Sequence, residues 1–343
     1  MTEKKIWTLK SIAKELGVSN ATVSNAFSRP DQLSKKRRDD ILASCKNLGY
    51  SGPNKAAQSL RKGHSNIVAL VLPDSVEYMI SDPVASNFVK GVSSVLEKNQ
   101  VNLLLFSGAS DNINAVADFV DGFICYGSPR NAKLVEQLRA TTKKVVTADF
   151  DIDRNASVGV DNEQAAYEIA KLAIKSADDN IAILGLRLLD SNLTCRVYEL
   201  PDFDLLPSIA HRRLNGYKKA INELGVTLRD DRIWNIPKSS HDIALIAVRE
   251  ALTSIPRPNV LLCMSDLIAL AALKEINAIG LKIPEDISVV GFDGIDETSR
   301  SNPPLTTVHQ NSEEKGSKAA ELFINRATDS VLIPYHIEHR QSC

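Results

Sequence analysis

Aromatic side chains are scarce in this chain, 5% of 343 residues, with only two tryptophans. No aromatic stacking platform stands out; Phe292 and Tyr126 are the candidates, and both also fit core positions. The five cysteines are isolated, with no CxxC and no Cys/His spacing that would hold zinc, so they read as reduced thiols of a cytoplasmic protein. Long apolar runs are absent as well. The longest, such as 67–72, suit buried strands, and nothing approaches a membrane-spanning length, so no membrane partner is expected. No apolar leader follows the lysines near Met1, so no secretory signal peptide is expected. Missing too are GxGxxG after a strand, GxxxxGK[ST] and a GxSxG elbow, which removes the usual dinucleotide, P-loop and serine-hydrolase signatures. Asp149, Asp151 and Asp153 mimic the start of a calcium loop, but Arg154 replaces its glycine and Val160 its closing glutamate. Neither a catalytic site nor a metal or cofactor is expected.

Charge is present but unevenly placed. The net value of -1 conceals a basic first segment: 13 Lys and Arg against 5 Asp and Glu up to His64, leaving 28 basic and 37 acidic residues for the remainder. A small basic module on an acidic body suits nucleic-acid binding. The pattern inside it is helical. Thr8 is a plausible N-cap for a helix with Leu9, Ile12, Ala13 and Leu16 on one face, stopped by Gly17. Val18 reads as a buried turn residue, Ser19 caps a second helix, and a third runs over 34–47 and stops at Gly49. Two short helices joined by a glycine-containing turn form a helix-turn-helix.

From position 66 onward, strands alternate with helices. Apolar runs at 67–72, 101–106, 122–126 and 145–149 are followed by a second series at 181–185, 260–264 and 287–292. Alternation of this kind predicts parallel sheets covered by helices, in two doubly wound lobes with a ligand site beyond the strands' carboxyl ends. The stretch 186–206 reads as a long irregular loop able to shape the mouth of that site.

The runs IAKELGVSNATVS, LGY at 48–50 and AQSLR at 57–61 resemble the headpiece and hinge of the lactose-repressor/purine-repressor (LacI/GalR) family. The resemblance implies an α/β chain with an all-α helix-turn-helix headpiece (1–51), a hinge (52–64) and a two-lobed periplasmic-binding-protein-like effector domain (65–343). The first lobe would take about 65–161 and 293–325, the second about 162–292 and 326–343. It puts the base-reading positions on Asn20, Ala21 and Asn25, whose amides and methyl suit adenine and thymine edges. Thr8, Ser19, Thr22 and Ser24 would serve as caps or phosphate positioners. Ala57 and Leu60 belong to the hinge, with Leu60 as a minor-groove wedge. In the effector domain the resemblance assigns Arg213 in HRRLNGY, Asp293 in SVVGFD and Asp149 in TADFD to a small-molecule ligand, sugar- or nucleoside-like. Ser265 stands where some sugar-binding members carry Asn, and Asp266 beside it reads as a helix cap. The expected activity is ligand-controlled transcriptional regulation, most simply repression. The expected partners are a palindromic double-stranded DNA operator, the effector and a second copy of the chain. No C-terminal leucine heptad follows, so the expectation is a homodimer rather than a tethered tetramer.

Overall fold

Helix-capping residues decide where the first elements begin. The computed structural model describes residues 7–52, 64–152, 155–198 and 208–343, in two units, Met1–Asn66 and Ile67–Cys343. In the first unit α1 (Leu9–Glu15) opens on a reciprocal cap, in which the Ser11 N–H donates to Thr8 Oγ1 at 3.2 Å and the Thr8 N–H donates to Ser11 Oγ at 2.8 Å. Gly17, at φ +65°, makes the turn. Ser19 Oγ then accepts from the Thr22 N–H to start α2 (Asn20–Ser28), and Ser34 does the same for α3 (Lys35–Asn47). Each such cap contributes about 1 kcal/mol. Ile12, Ala13, Val23, Ala26, Ile41, Cys45 and Tyr50 form the core of the three helices, while Val18, expected to be buried, is only partly covered.

In the second unit the first stretch comprises β1 (Ile67–Val71), α4 (Val76–Ser81), α5 (Pro83–Lys98), β2 (Asn102–Phe106), α6 (Asn114–Ala117) and β3 (Gly122–Tyr126). It continues through α7 (Ala132–Ala140), β4 (Lys144–Ala148) and β5 (Ala156–Gly159). The second stretch holds α8 (Asn162–Ala173), β6 (Ile181–Leu186), β7 (Cys195–Arg196), α9 (Ile209–Glu223), β8 (Ile233–Ile236) and α10 (His241–Thr253). Then come β9 (Val260–Cys263), α11 (Asp266–Ala278), β10 (Ser288–Asp293), β11 (Thr306–His309), α12 (Ser312–Ile324), β12 (Val331–Leu332) and β13 (His336–Glu338).

Among the described residues these strands make a six-stranded sheet, β12-β5-β4-β3-β1-β2, and a seven-stranded sheet, β13-β11-β10-β9-β6-β8-β7. The first is parallel throughout; in the second only the edge strands β13 and β7 run antiparallel. Strands such as Val260–Cys263 are buried on every residue because helices cover both faces, and each sheet carries one apolar cluster per face. No helix among the described residues is long and apolar enough to cross a membrane.

The chain changes lobe at different residues from those expected. β11, assigned to the first lobe, pairs with β10 in the second sheet, and β12, assigned to the second lobe, pairs with β5 in the first. Of 293–325, only α12 packs on the first lobe, where Gly316 lets it approach the backbone of Phe88 on α5 and Gly91 of α5 meets the backbone of Glu313. The sequence of β11, TTVH, is polar for a strand inside a sheet, so its pairing with β10 is not visible in its apolar pattern. The stretch after β6 is likewise less irregular than expected, because β7 pairs with β8.

Candidate functional site

On α2, Val23 and Ala26 face the headpiece core, which turns Asn20 and Ala21 to solvent and leaves Ser24 and Asn25 half-buried. Ser19 and Thr22 are engaged with each other, their hydroxyls 2.8 Å apart at the helix start. Thr8 is likewise committed to capping α1. The first turn of α2 carries no acidic residue, so the positive pole of the helix is uncompensated and suits a phosphate. Lys35, Lys36 and Arg37 are exposed, whereas Arg38 donates to the Ala26 carbonyl at 3.0 Å and so closes the end of α2. Ala57 and Leu60 lie outside the described residues.

Beyond the carboxyl ends of both sheets lies a cavity of about 390 Å³. The carboxyl ends of β1, β3 and β4, with the residues just after them, bring Asp74, Tyr126 and Asp149 to it, and α4 with the start of α5 adds Tyr78 and Asp82. From the other lobe come Arg187 after β6, His211 and Arg213 of α9, Ser239, and Asp293 at the end of β10. Asp149 and Asp293 have positive φ angles, +56° and +133°, strained for residues with a β-carbon. Strain of this kind collects at functional positions.

Arg213 is buried and held on three sides. Nε donates to Asn162 Oδ1 at 2.9 Å, Nη1 donates to the Met264 carbonyl at 2.5 Å and lies 3.4 Å from Asp293 Oδ1. Its guanidinium also stacks 3.5 Å from the ring centre of Phe292, a buried cation–π contact. Phe292 thus supports the arginine, while Tyr126 stacks on Phe88 and lines the cavity. Asp293 Oδ1 also accepts from Gln310 Nε2 at 2.7 Å. Burial and the neighbouring Asp266 push the Asp293 carboxyl well above the usual range, against the pull of Arg213. Gln310 Oε1 in turn accepts from Lys315 Nζ at 2.8 Å, and Lys315 forms an ion pair with Asp149 Oδ2. Asp149 Oδ1 is buried without a hydrogen-bond partner. Three of the four residues assigned to the effector therefore meet in one bonded path, Asp149–Lys315–Gln310–Asp293–Arg213, which joins the lobes.

Ser265 does not reach the cavity. It is fully buried, with its hydroxyl 2.5 Å from that of Ser239, and Ser239 stands in the wall in front of it. Asp266 does not cap α11. Its carboxylate accepts from the Gly294 and Ile295 N–H groups at 2.6 and 3.0 Å and from Thr307 Oγ1 at 2.5 Å, tying β10 to β11. Burial pushes its pKa up to about 6 against those donors. Further bonds cross the cleft: the Ser239 N–H donates to Tyr78 Oη at 2.9 Å, Arg212 to Asp151 Oδ2 at 2.9 Å, and Arg130 to Asn192 Oδ1 at 3.1 Å. Sequence reasoning missed Lys315, although one signal was there. It falls on the face of α12 shared with Ala319, Leu322 and Phe323, where a lysine can stay charged only beside a buried carboxylate. Among the described residues no cluster of three or more His, Cys, Asp or Glu is arranged to hold a metal ion.

Residues 203–343 match the model of a periplasmic binding protein-like domain. An HTH-type transcriptional regulator of Mycobacterium tuberculosis is 34% identical over 337 residues, covering 94% of this chain and 92% of its own length. Among solved structures, the CelR–cellobiose complex of a transcriptional regulator superposes with a TM-score of 0.69 at 24% identity, over 98% of this chain and all of that one. The lac repressor dimer bound to operator and an anti-inducer gives 0.73 at 22% identity, over 98% and 99%. The two-lobed fold, the helix-turn-helix and this full-length similarity carry one conclusion: the chain belongs to the LacI/GalR family of transcriptional regulators and is not an enzyme.

Proposed function

We propose that the chain binds a palindromic operator as a homodimer, represses transcription from it, and is controlled by a small hydroxylated molecule in the interlobe cleft. The observation that carries the control is the bonded path through Asp149, Lys315, Gln310, Asp293 and Arg213, because a ligand touching it bears on both lobes at once. Control requires a ligand that binds the operator-competent and operator-weak forms with different affinity. A cleft whose floor joins the lobes supplies that difference when they move. On the DNA side, Asn20, Ala21 and Asn25 read base edges, Ser19, Thr22 and Ser24 position the backbone, and Leu60 is the minor-groove wedge. The exposed Asn20 and Ala21 in the first turn of α2, where no acidic residue offsets the positive pole, support this reading. Two-fold symmetry is the simplest way for two such helices to read two half-sites.

The test is selection from random duplex DNA with the full-length protein, followed by titration of sugars, polyols and nucleosides against the selected site. A two-fold symmetric sequence should be enriched, and one class of ligand should change its affinity. Arg213→Ala should abolish that change while ligand-free operator affinity stays close to the parent's. Enrichment of no symmetric site removes the operator reading, and an unaltered ligand response in Arg213→Ala removes the cleft assignment.

A further inference from the structure

The cleft is not uniformly suited to a neutral ligand. Its carboxylates are mostly taken: Asp74 by Arg130 at 3.0 Å, Asp151 by Arg212 at 2.9 Å, Asp149 Oδ2 by Lys315, and Asp293 by Arg213. Asp82 caps α5, which among the described residues leaves Asp190 and a single arginine, and no ion pair joins those two. Arg187 follows directly on β6 and lines the cavity, and among the described residues no ion pair engages its guanidinium. Its backbone is pinned, since its N–H donates to the Ile236 carbonyl at 2.8 Å, and it sits at φ +51°, where a side chain is disfavoured. Burial and the charge of Arg130 hold its pKa below the ordinary arginine value, against the attraction of Asp190 and Asp74. A half-buried, strained and unpaired guanidinium is costly unless something compensates it.

Two neighbours in the same wall point the same way. The first turn of the 15-residue α9, from Ser208 to His211, lines the cavity and carries no acidic residue of its own, so its positive pole adds to the charge of Arg187. That turn adjoins Arg187, because His211 hydrogen-bonds the backbone of Leu188. The facing wall asks for the opposite group: buried Asp149 Oδ1 has no partner and needs a donor.

We infer that the effector is an acid or phosphate ester of a polyhydroxylated molecule, with its anionic group on Arg187 and the first turn of α9 and a hydroxyl donating to Asp149 Oδ1. The inference rests on the cleft being the effector site. A guanidinium bonded to a carboxylate or phosphate is among the stronger hydrogen-bonded pairs, worth about tenfold or more in affinity. The experiment follows the thermal transition of the full-length protein with inorganic phosphate against chloride at constant ionic strength. It then uses the matched set glucose, glucuronate and glucose 6-phosphate. Phosphate should raise the Tm of the parent and of Arg187→Lys but not of Arg187→Gln, and that last comparison subtracts phosphate held by the basic headpiece. Protection by glucuronate or by glucose 6-phosphate tells a carboxylate from a phosphate ester. Phosphate that does nothing, or that protects Arg187→Gln as well as the parent, overturns the inference. If glucose then binds the parent and Arg187→Gln alike but not Arg213→Ala, the cleft reading stands without the anion. If Arg213→Ala leaves binding of every member unchanged, the cleft reading itself falls.

Discussion

Lys315 and Asp149 bring two opposite charges together inside the protein. Their side chains are 1% and 2% exposed, so neither charge has water to fall back on. Removing one partner of such a pair costs about 3–5 kcal/mol, because the other charge is left buried alone. Lys315→Met should therefore lower stability by about that amount in a chemical-denaturation experiment, whereas Asp149→Asn with Lys315→Met should recover most of the loss. A double variant no more stable than Lys315→Met alone would show that the pair is not the source of the cost. The same variants separate folding from signalling. A recovered double variant that still binds operator and still binds effector, yet no longer lets one alter the other, would locate the lobe-to-lobe coupling in this pair.

At the scale of the element, the segment from β6 to β7 is held by one fully buried residue, Asn235 of β8. Asn235 Oδ1 accepts from the Leu189 N–H at 3.0 Å, and its Nδ2 donates to the Leu193 carbonyl at 2.8 Å. Leu188, also fully buried, fills the space that Gly185 leaves open. Asn235→Ala would orphan both backbone groups, at about 1–3 kcal/mol each where they stay buried. Amide exchange at Leu189 should then speed up, and effector should bind more weakly, with ligand-free operator affinity unchanged; normal exchange at Leu189 would contradict the anchoring role. Much of this architecture is readable from the residues. Ser19 and Ser34 announce their helices because a hydroxyl is the cheapest acceptor for an orphan N–H, and IVALV or VLLC can only be strands with two covered faces. What escapes is where polar residues are buried by partners distant in sequence. Asn235 in IWNI and Thr306 and Thr307 in TTVH sit in central strands because partners far along the chain satisfy them. Asp266 looks like a cap but bonds to Thr307, 41 residues away, and Ser265 looks like a ligand contact but lies behind Ser239.

For the whole molecule, the separation of a basic first segment from an acidic remainder predicts how affinity responds to salt. If a dimer contacts roughly six to ten phosphates, operator affinity should fall about 10³–10⁵-fold between 50 and 200 mM salt, while the affinity for an effector, which carries far fewer charges, should change far less. Mobility shift and calorimetry over the same salt series read the two numbers, and a flat operator response would contradict the proposed phosphate contacts. The late crossings of the chain carry a consequence for biosynthesis. The first sheet lacks an edge strand until Val331–Leu332 has been made, and the second lacks one until His336–Glu338. Beyond them Ser342, fully buried, accepts from the Thr306 N–H at 2.8 Å and donates to the Val289 carbonyl at 2.6 Å. A ribosome that stops before Val331 therefore releases an intact headpiece on a body in which neither lobe is finished. Such a body exposes apolar surface that chaperones and proteases recognise. A premature stop should thus leave little protein rather than an operator-bound fragment deaf to its effector.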